Sequence, residues 1–148
     1  MRSHRAKITK RVVDTLEPEI FARAENAVWS PDGTAVLIQQ DGILSLADAD
    51  GTGAQLVADG EQPAWSPDGS RFAYLSGTDS DGRSLISLMD RNGTQLWSDV
   101  VGSWMSWSPD GTRLAVQVDF PERVVHVLDA ATGEQLWEAP GSQPAWRP

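Results

Sequence analysis

The residues able to do chemistry in this chain are carboxylates, and they come in two arrangements. Asp48-Ala49-Asp50-Gly51 and Asp79-Ser80-Asp81-Gly82 place acids on alternate residues, a spacing that offers hard oxygen ligands to a cation such as calcium. Both lack the rest of a twelve-residue calcium loop, above all the closing bidentate glutamate, so the expectation is an ordinary turn with no metal. Asp32, Asp68 and Asp110 instead recur in one motif, where a carboxylate can accept backbone N–H bonds, which points to a structural task. Nucleophilic catalysis needs a serine or cysteine beside a positioned histidine. The only histidines are His4, in a basic arm, and His126, inside an apolar run, and neither serves a Gly-X-Ser-X-Gly elbow. Nothing singles out a carboxylate pair for glycoside hydrolysis, and no phosphate-binding glycine loop is present. The sequence therefore predicts no catalytic residue and no cofactor.

The elements that carry these acids are set by a repeat. Segments 27–38 (AVWSPDGTAVLI), 63–75 (PAWSPDGSRFAYL) and 105–116 (MSWSPDGTRLAV) align without gaps, and 144–148 (PAWRP) begins the pattern again. Trp29, Trp65, Trp107 and Trp146 are spaced by 36, 42 and 39 residues, the length of four short strands with tight turns. In Trp-Ser-Pro-Asp-Gly, proline presets the first central torsion of a turn and Gly33, Gly69 or Gly111 takes the torsions that a side chain resists. Asp48-Ala49-Asp50-Gly51 and Arg91-Asn92-Gly93 give hairpin turns further along each unit. In the second unit this predicts strands at 62–66, 71–76, 84–90 and 94–98. No helix-period pattern competes. The expected fold is all-β: four-stranded antiparallel blades at about 26–59, 60–99 and 102–138, with the tryptophans filling the space between blades.

These residues resemble the TolB-type, or WSPDG-repeat, β-propeller family over roughly residues 27–148. The resemblance rests on the Trp-Ser-Pro-Asp-Gly turn and on an Asp-Ala-Asp-Gly-like turn before the fourth strand. It implies radially arranged blades and mainly protein-binding roles. Related blades accompany serine peptidases, but no hydrolase domain is present in this sequence. TolB is periplasmic, whereas this sequence shows no export signal and reads as cytoplasmic.

The two ends extend the pattern. Arg11-Val12-Val13-Asp14 through Glu19-Ile20-Phe21-Ala22 parallels His126-Val127-Leu128-Asp129 through Glu134-Gln135-Leu136-Trp137, so residues 8–24 read as the third and fourth strands of a blade. Residues 143–147 read as a first strand without partners. Residues 1–7 form a basic arm and residues 8–148 a single partial propeller. A split blade built from 8–24 and 143–147 would close four blades within one chain or eight between two. The homodimer is the expected form, because an open propeller leaves strand edges and apolar faces exposed. A truncated piece of a longer propeller, with no binding role of its own, is the competing reading.

Charge narrows the partners. The chain carries a net charge of -9, yet Arg2, Arg5, Lys7, Lys10 and Arg11 put +5 in the first eleven residues, leaving 7 basic against 21 acidic side chains in the other 137. Such a body repels nucleic acid and anionic membranes, and no apolar run is long enough to cross a bilayer. Residues 8–18 also faintly resemble the opening of the N-terminal domain of phage-type integrases, which would make the arm a DNA-associated fusion remnant. A protein or peptide partner fits the acidic body better. Its expected site starts from Trp104, where aligned positions hold Asn26, Gln62 and Gln143, and includes Asp79, Asp81 and Arg83 of the 77–83 loop with Asp119, Phe120 and Glu122. The sequence leaves open whether Trp104 is such a hot spot or a gap-filling substitution.

Overall fold

The computed structural model describes residues 24–147, all as strands and connections. Their order is β1 (Asn26–Trp29), β2 (Ala35–Gln40), β3 (Ile43–Asp48), β4 (Gln55–Asp59), β5 (Glu61–Trp65), β6 (Arg71–Thr78), β7 (Ser84–Asp90), β8 (Gln95–Val101), β9 (Trp104–Trp107), β10 (Arg113–Val118), β11 (Val124–Asp129) and β12 (Gln135–Pro140). They make three four-stranded sheets, β1-β2-β3-β4, β5-β6-β7-β8 and β9-β10-β11-β12, each an antiparallel meander like a propeller blade. We number these blades 1 to 3. The predicted strands of the second unit are all present, but β8 runs on to Val101. A register shift opposite Ser87, with Asp99 at φ 63°, lets the ladder continue past polar residues that read as its end.

The chain forms two compact units that meet at Pro63 and Ala64. In the first, all six residues of β2 are buried, which explains why its first four, AVLI, read as a continuous apolar run and not as an alternation. Val36, Ile38 and Ala47 pack with Ala24, Ala27 and Ala54. In the second, blades 2 and 3 share one core of Ala73, Ile86, Leu88, Leu114, Val116 and Leu128, edged by Leu75, Trp97, Val100, Met105 and Trp107. Gly102 sits inside this contact, where a Cβ would lie 2.7 Å from Ile86 Cδ1. Only glycine lets the chain pass from β8 to β9 so close to the core.

The repeated turn is built alike three times. Ser30, Ser66 and Ser108 each donate from Oγ to the aspartate two residues on, Asp32, Asp68 and Asp110, at 2.7 Å. The same carboxylates accept the N–H and hydroxyl of Thr34, Ser70 and Thr112. The serine oxygens in turn accept the N–H that opens the second strand, from Ala35, Arg71 and Arg113. Gly33, Gly69 and Gly111 all have φ 71°, which a side chain resists. Hydrogen bonding from Ser66 and Ser108, then from the next backbone N–H, holds the carboxyls of Asp68 and Asp110 down to about 2.

The tryptophans divide. Trp65 is buried, edge-on to Phe72 at 5.5 Å, and Trp107 and Trp146 are half-buried. Trp29 is 47% exposed, a departure from the common packing role expected for the four. The proposed strands at 8–24 lie outside the described residues except for Ala24, as does the whole basic arm.

Candidate functional site

A cleft of about 780 Å³ opens where two β-turn regions of the second unit face each other. One wall comes from the connection between β6 and β7, with Asp81, Gly82, Arg83 and Ser84. The other comes from the end of β10 and the connection to β11, with Gln117, Val118, Asp119, Phe120 and Pro121, and Val101, Gly102 and Ser103 form the floor between them. Its acids and bases are held by the turns themselves. Asp79 accepts the N–H groups of Asp81 and Arg83, and its second oxygen takes the Arg83 guanidinium at 2.7 Å. Arg83 also lies 3.7 Å from Asp81. Across the cleft Asp119 accepts from Ser103 and Gln117 and pairs with Arg123 at 3.3 Å. The Arg83 backbone N–H holds the Asp79 carboxyl below its ordinary value, and the Ser103 hydroxyl does so for Asp119. Both are ionised near neutral pH. Phe120, 70% exposed, forms the lip and joins Pro121 by a cis bond.

The structure thus brings Asp81, Arg83, Asp119 and Phe120 to one cleft and places Asp79 behind Arg83 as its anchor. Glu122 is exposed but does not line it. Trp104, 48% exposed, sits on β9 beside the floor, paired with Gln117. It flanks the cleft without lining it.

The register explains why Trp104 departs from its column. The residue ten after each repeat tryptophan is Gln39, Leu75 or Gln117. Gln39 Oε1 accepts the N–H of Gln62 at 2.8 Å, and Gln117 Oε1 accepts that of Gln143 at 2.7 Å. Their amides donate to Glu25 and Asp119. Gln62 and Gln143 adopt φ near 50°. Where the strand carries Leu75 instead, no side-chain carbonyl is offered, and the next blade opens with Trp104 and ordinary torsions. Comparing these two columns is the signal that the sequence held and that the reading of Trp104 alone missed.

Among the described residues no group of three or more His, Asp or Glu side chains is placed to hold a metal. In the turns first weighed as calcium loops, Asp50 accepts the N–H and hydroxyl of Thr52, and Asp79 is engaged as above. His126 lies on β11, 3.2 Å from Glu138.

No family model matches the chain, and no curated protein matches it significantly. Solved structures do. The β-propeller domain of the Trilobed protease from Pyrococcus furiosus, described as having an open velcro topology, is 16% identical over 71% of this chain and 38% of its own, with a TM-score of 0.55. A protein assigned as TolB from Agrobacterium tumefaciens is 24% identical over 75% of this chain and 44% of its own, with a TM-score of 0.58. An oligogalacturonate lyase in complex with manganese is 20% identical over 74% and 34%, with a TM-score of 0.56. The chain spans about two-fifths of the length of these propellers, which differ widely in what they do. With its three antiparallel meanders, the chain is an array of β-propeller blades.

Proposed function

We propose that this chain is a non-catalytic propeller scaffold, of the TolB-type repeat, that binds a protein or peptide segment in the cleft between the 79–83 and 119–123 turns. The observation that carries the reading is the cleft itself. It combines an aromatic lip, apolar lining from Val101 in the floor and Val118 in one wall, and carboxylates on both walls. Apolar clefts with a few placed polar groups are the usual form of a binding site. The two arginines at the rim are already paired with aspartates, so the cleft presents carboxylate more than free cation. A basic segment with one large apolar side chain is the complementary partner. Blades on this fold serve enzymes and non-enzymes alike, so the reading rests on the site and not on the fold.

The test is titration of labelled decapeptides pairing lysine or arginine with phenylalanine or leucine, against acidic peptides of equal hydrophobicity. The basic set binds and weakens with added salt, and Phe120→Ala with Trp104→Gln reduces that binding about tenfold or more while the circular dichroism is unchanged. Equal binding of the acidic set, or indifference to Phe120→Ala, defeats the proposal.

A further inference from the structure

Two aspartate–arginine pairs stand on opposite walls of the cleft, and they are built differently. Asp79 is closed. Its Oδ1 accepts the N–H groups of Asp81 and Arg83, its Oδ2 lies 2.7 Å from both Nε and Nη2 of Arg83, and its side chain is only 20% exposed. Asp119 is held by neutral groups. The Ser103 hydroxyl donates to its Oδ2 and the Gln117 amide to its Oδ1, and Gln117 is itself fixed, because its Oε1 accepts the Gln143 N–H at 2.7 Å. These donors aim the carboxylate without cancelling its charge. That charge is met by Arg123, whose Nε lies 3.3 Å from Oδ1 and whose side chain is 63% exposed.

An exposed ion pair of this length contributes little, because water and salt screen it and a long side chain must be ordered to make it. Arg123 is an exchangeable ligand. A basic side chain entering the cleft meets the same carboxylate beside the apolar lining of Val101 and Val118, with Phe120 at the lip, where less water competes for the contact. Once Arg123 has moved away, each Asp119 oxygen keeps one neutral donor and has a lone pair to give, which suits two parallel N–H groups. A guanidinium offers that fork, whereas an ammonium is a point charge. Asp81, on the other wall, is 74% exposed and stays in water.

We infer that Asp119 anchors an arginine of the bound segment and that Arg123 is its internal competitor, occupying the carboxylate until that arginine displaces it. This rests on the cleft being the peptide site proposed above. It adds the identity of the charged contact and the residue that sets its affinity.

Labelled decapeptides pairing arginine with phenylalanine, and their lysine and glutamate counterparts, are titrated against the full chain, Arg123→Gln, Asp119→Asn and the double variant. Arg113→Gln serves as the control, since it makes the same charge change at an exposed side chain on the far end of β10. Extended backbone puts it roughly 20 Å from Asp119, well beyond the screening length of about 8 Å at physiological salt. Arg123→Gln tightens the arginine peptides about fivefold, and Arg113→Gln shifts them by less than about twofold. The parent chain prefers arginine to lysine by about threefold or more. Asp119→Asn weakens the arginine peptides about tenfold, and in that background Arg123→Gln adds nothing, as a directly coupled pair requires. The inference falls, and the peptide cleft stands, if the basic peptides bind but Arg123→Gln does not tighten them, if Arg113→Gln tightens them equally, if the gain survives Asp119→Asn, or if lysine binds as well as arginine. If no basic peptide outbinds the glutamate set, in the parent and in Arg123→Gln alike, the cleft reading and this inference fail together. Where Asp119→Asn does not keep the circular dichroism of the parent, Arg123→Gln against Arg113→Gln decides alone.

Discussion

Trp97 and Trp137 stand at the same place in the last strands of successive blades, with the same two residues before them, and their surroundings differ. Trp97 gives its indole N–H to Ala130 and lies over Gly133, whereas Trp137 is half open to solvent. Their forward neighbours behave alike: Arg71 bonds to two carbonyls and stacks 5.4 Å from the Trp107 ring centre, while Arg113 is exposed. The sequence of a blade therefore encodes its interface before the neighbour is in place. Stability follows from whether the neighbour is there.

The largest test of this comparison removes both rings. Trp97→Ala loses the half-buried indole and leaves the Ala130 carbonyl without it, for a cost of about 3 kcal/mol. Trp137→Ala costs under about 1 kcal/mol in dilute protein, because a ring already open to water forfeits little burial. Denaturant unfolding of the two variants measures both numbers. Equal losses would mean that Trp137 is seated within the single chain. Gly133→Ala sharpens the point, since φ 76° and the 2.9 Å approach to Trp97 act together, and it should fall nearer to Trp97→Ala than to Trp137→Ala.

Arg71 and Arg113 give the next contrast. Arg71→Gln removes the two charge-assisted bonds to Gly111 and Ala130 and the stacking on Trp107, for about 2 kcal/mol. Arg113→Gln should stay within about 0.5 kcal/mol. If Arg113→Gln matches Arg71→Gln, the Arg113 guanidinium is engaged within the chain as that of Arg71 is, and the contrast between the two fails.

What was legible in the sequence divides along the same line. Local chemistry was readable: the Ser-Pro-Asp-Gly turn, its bound carboxylate and the four strands per unit all depend on residues close in the chain. The 77–83 turn and residues 119–122 are legible as the connections between second and third strands that a propeller of this kind brings to the same face as Trp104. The shape they make was not readable, since the cleft joins turns about forty residues apart over a floor set by Gly102. The extension of β8 past Ser98 was hidden because Asp99 ends a strand in most settings, and here a bulge absorbs it. Trp104 was visible as an exception, but its explanation needed the register that sets the Gln39 and Gln117 column against the Gln62 and Gln143 column. One apolar residue, Leu75, removes the acceptor, and the residue that would have used it changes with it.

The smallest effect concerns acid, and it asks whether the shared turn is equally strong in successive blades. Asp68 and Asp110 titrate near 2, held down first by Ser66 and Ser108. A carboxyl whose folded value lies below its unfolded value of about 4 stabilises the fold fully above that value, and the contribution fades as pH falls towards 2. Both side chains are at or near the surface, so solvent screening keeps each contribution modest. Asp68→Asn and Asp110→Asn should each lower stability at pH 7 and make the remaining pH dependence shallower between about 4 and 2, by similar amounts. Unfolding midpoints measured at pH 7, 4 and 3 check this. A steeper acid loss in either variant would contradict the sign, and a loss confined to Asp68→Asn would show that the turn of blade 2 depends on its neighbour, as Trp97 does.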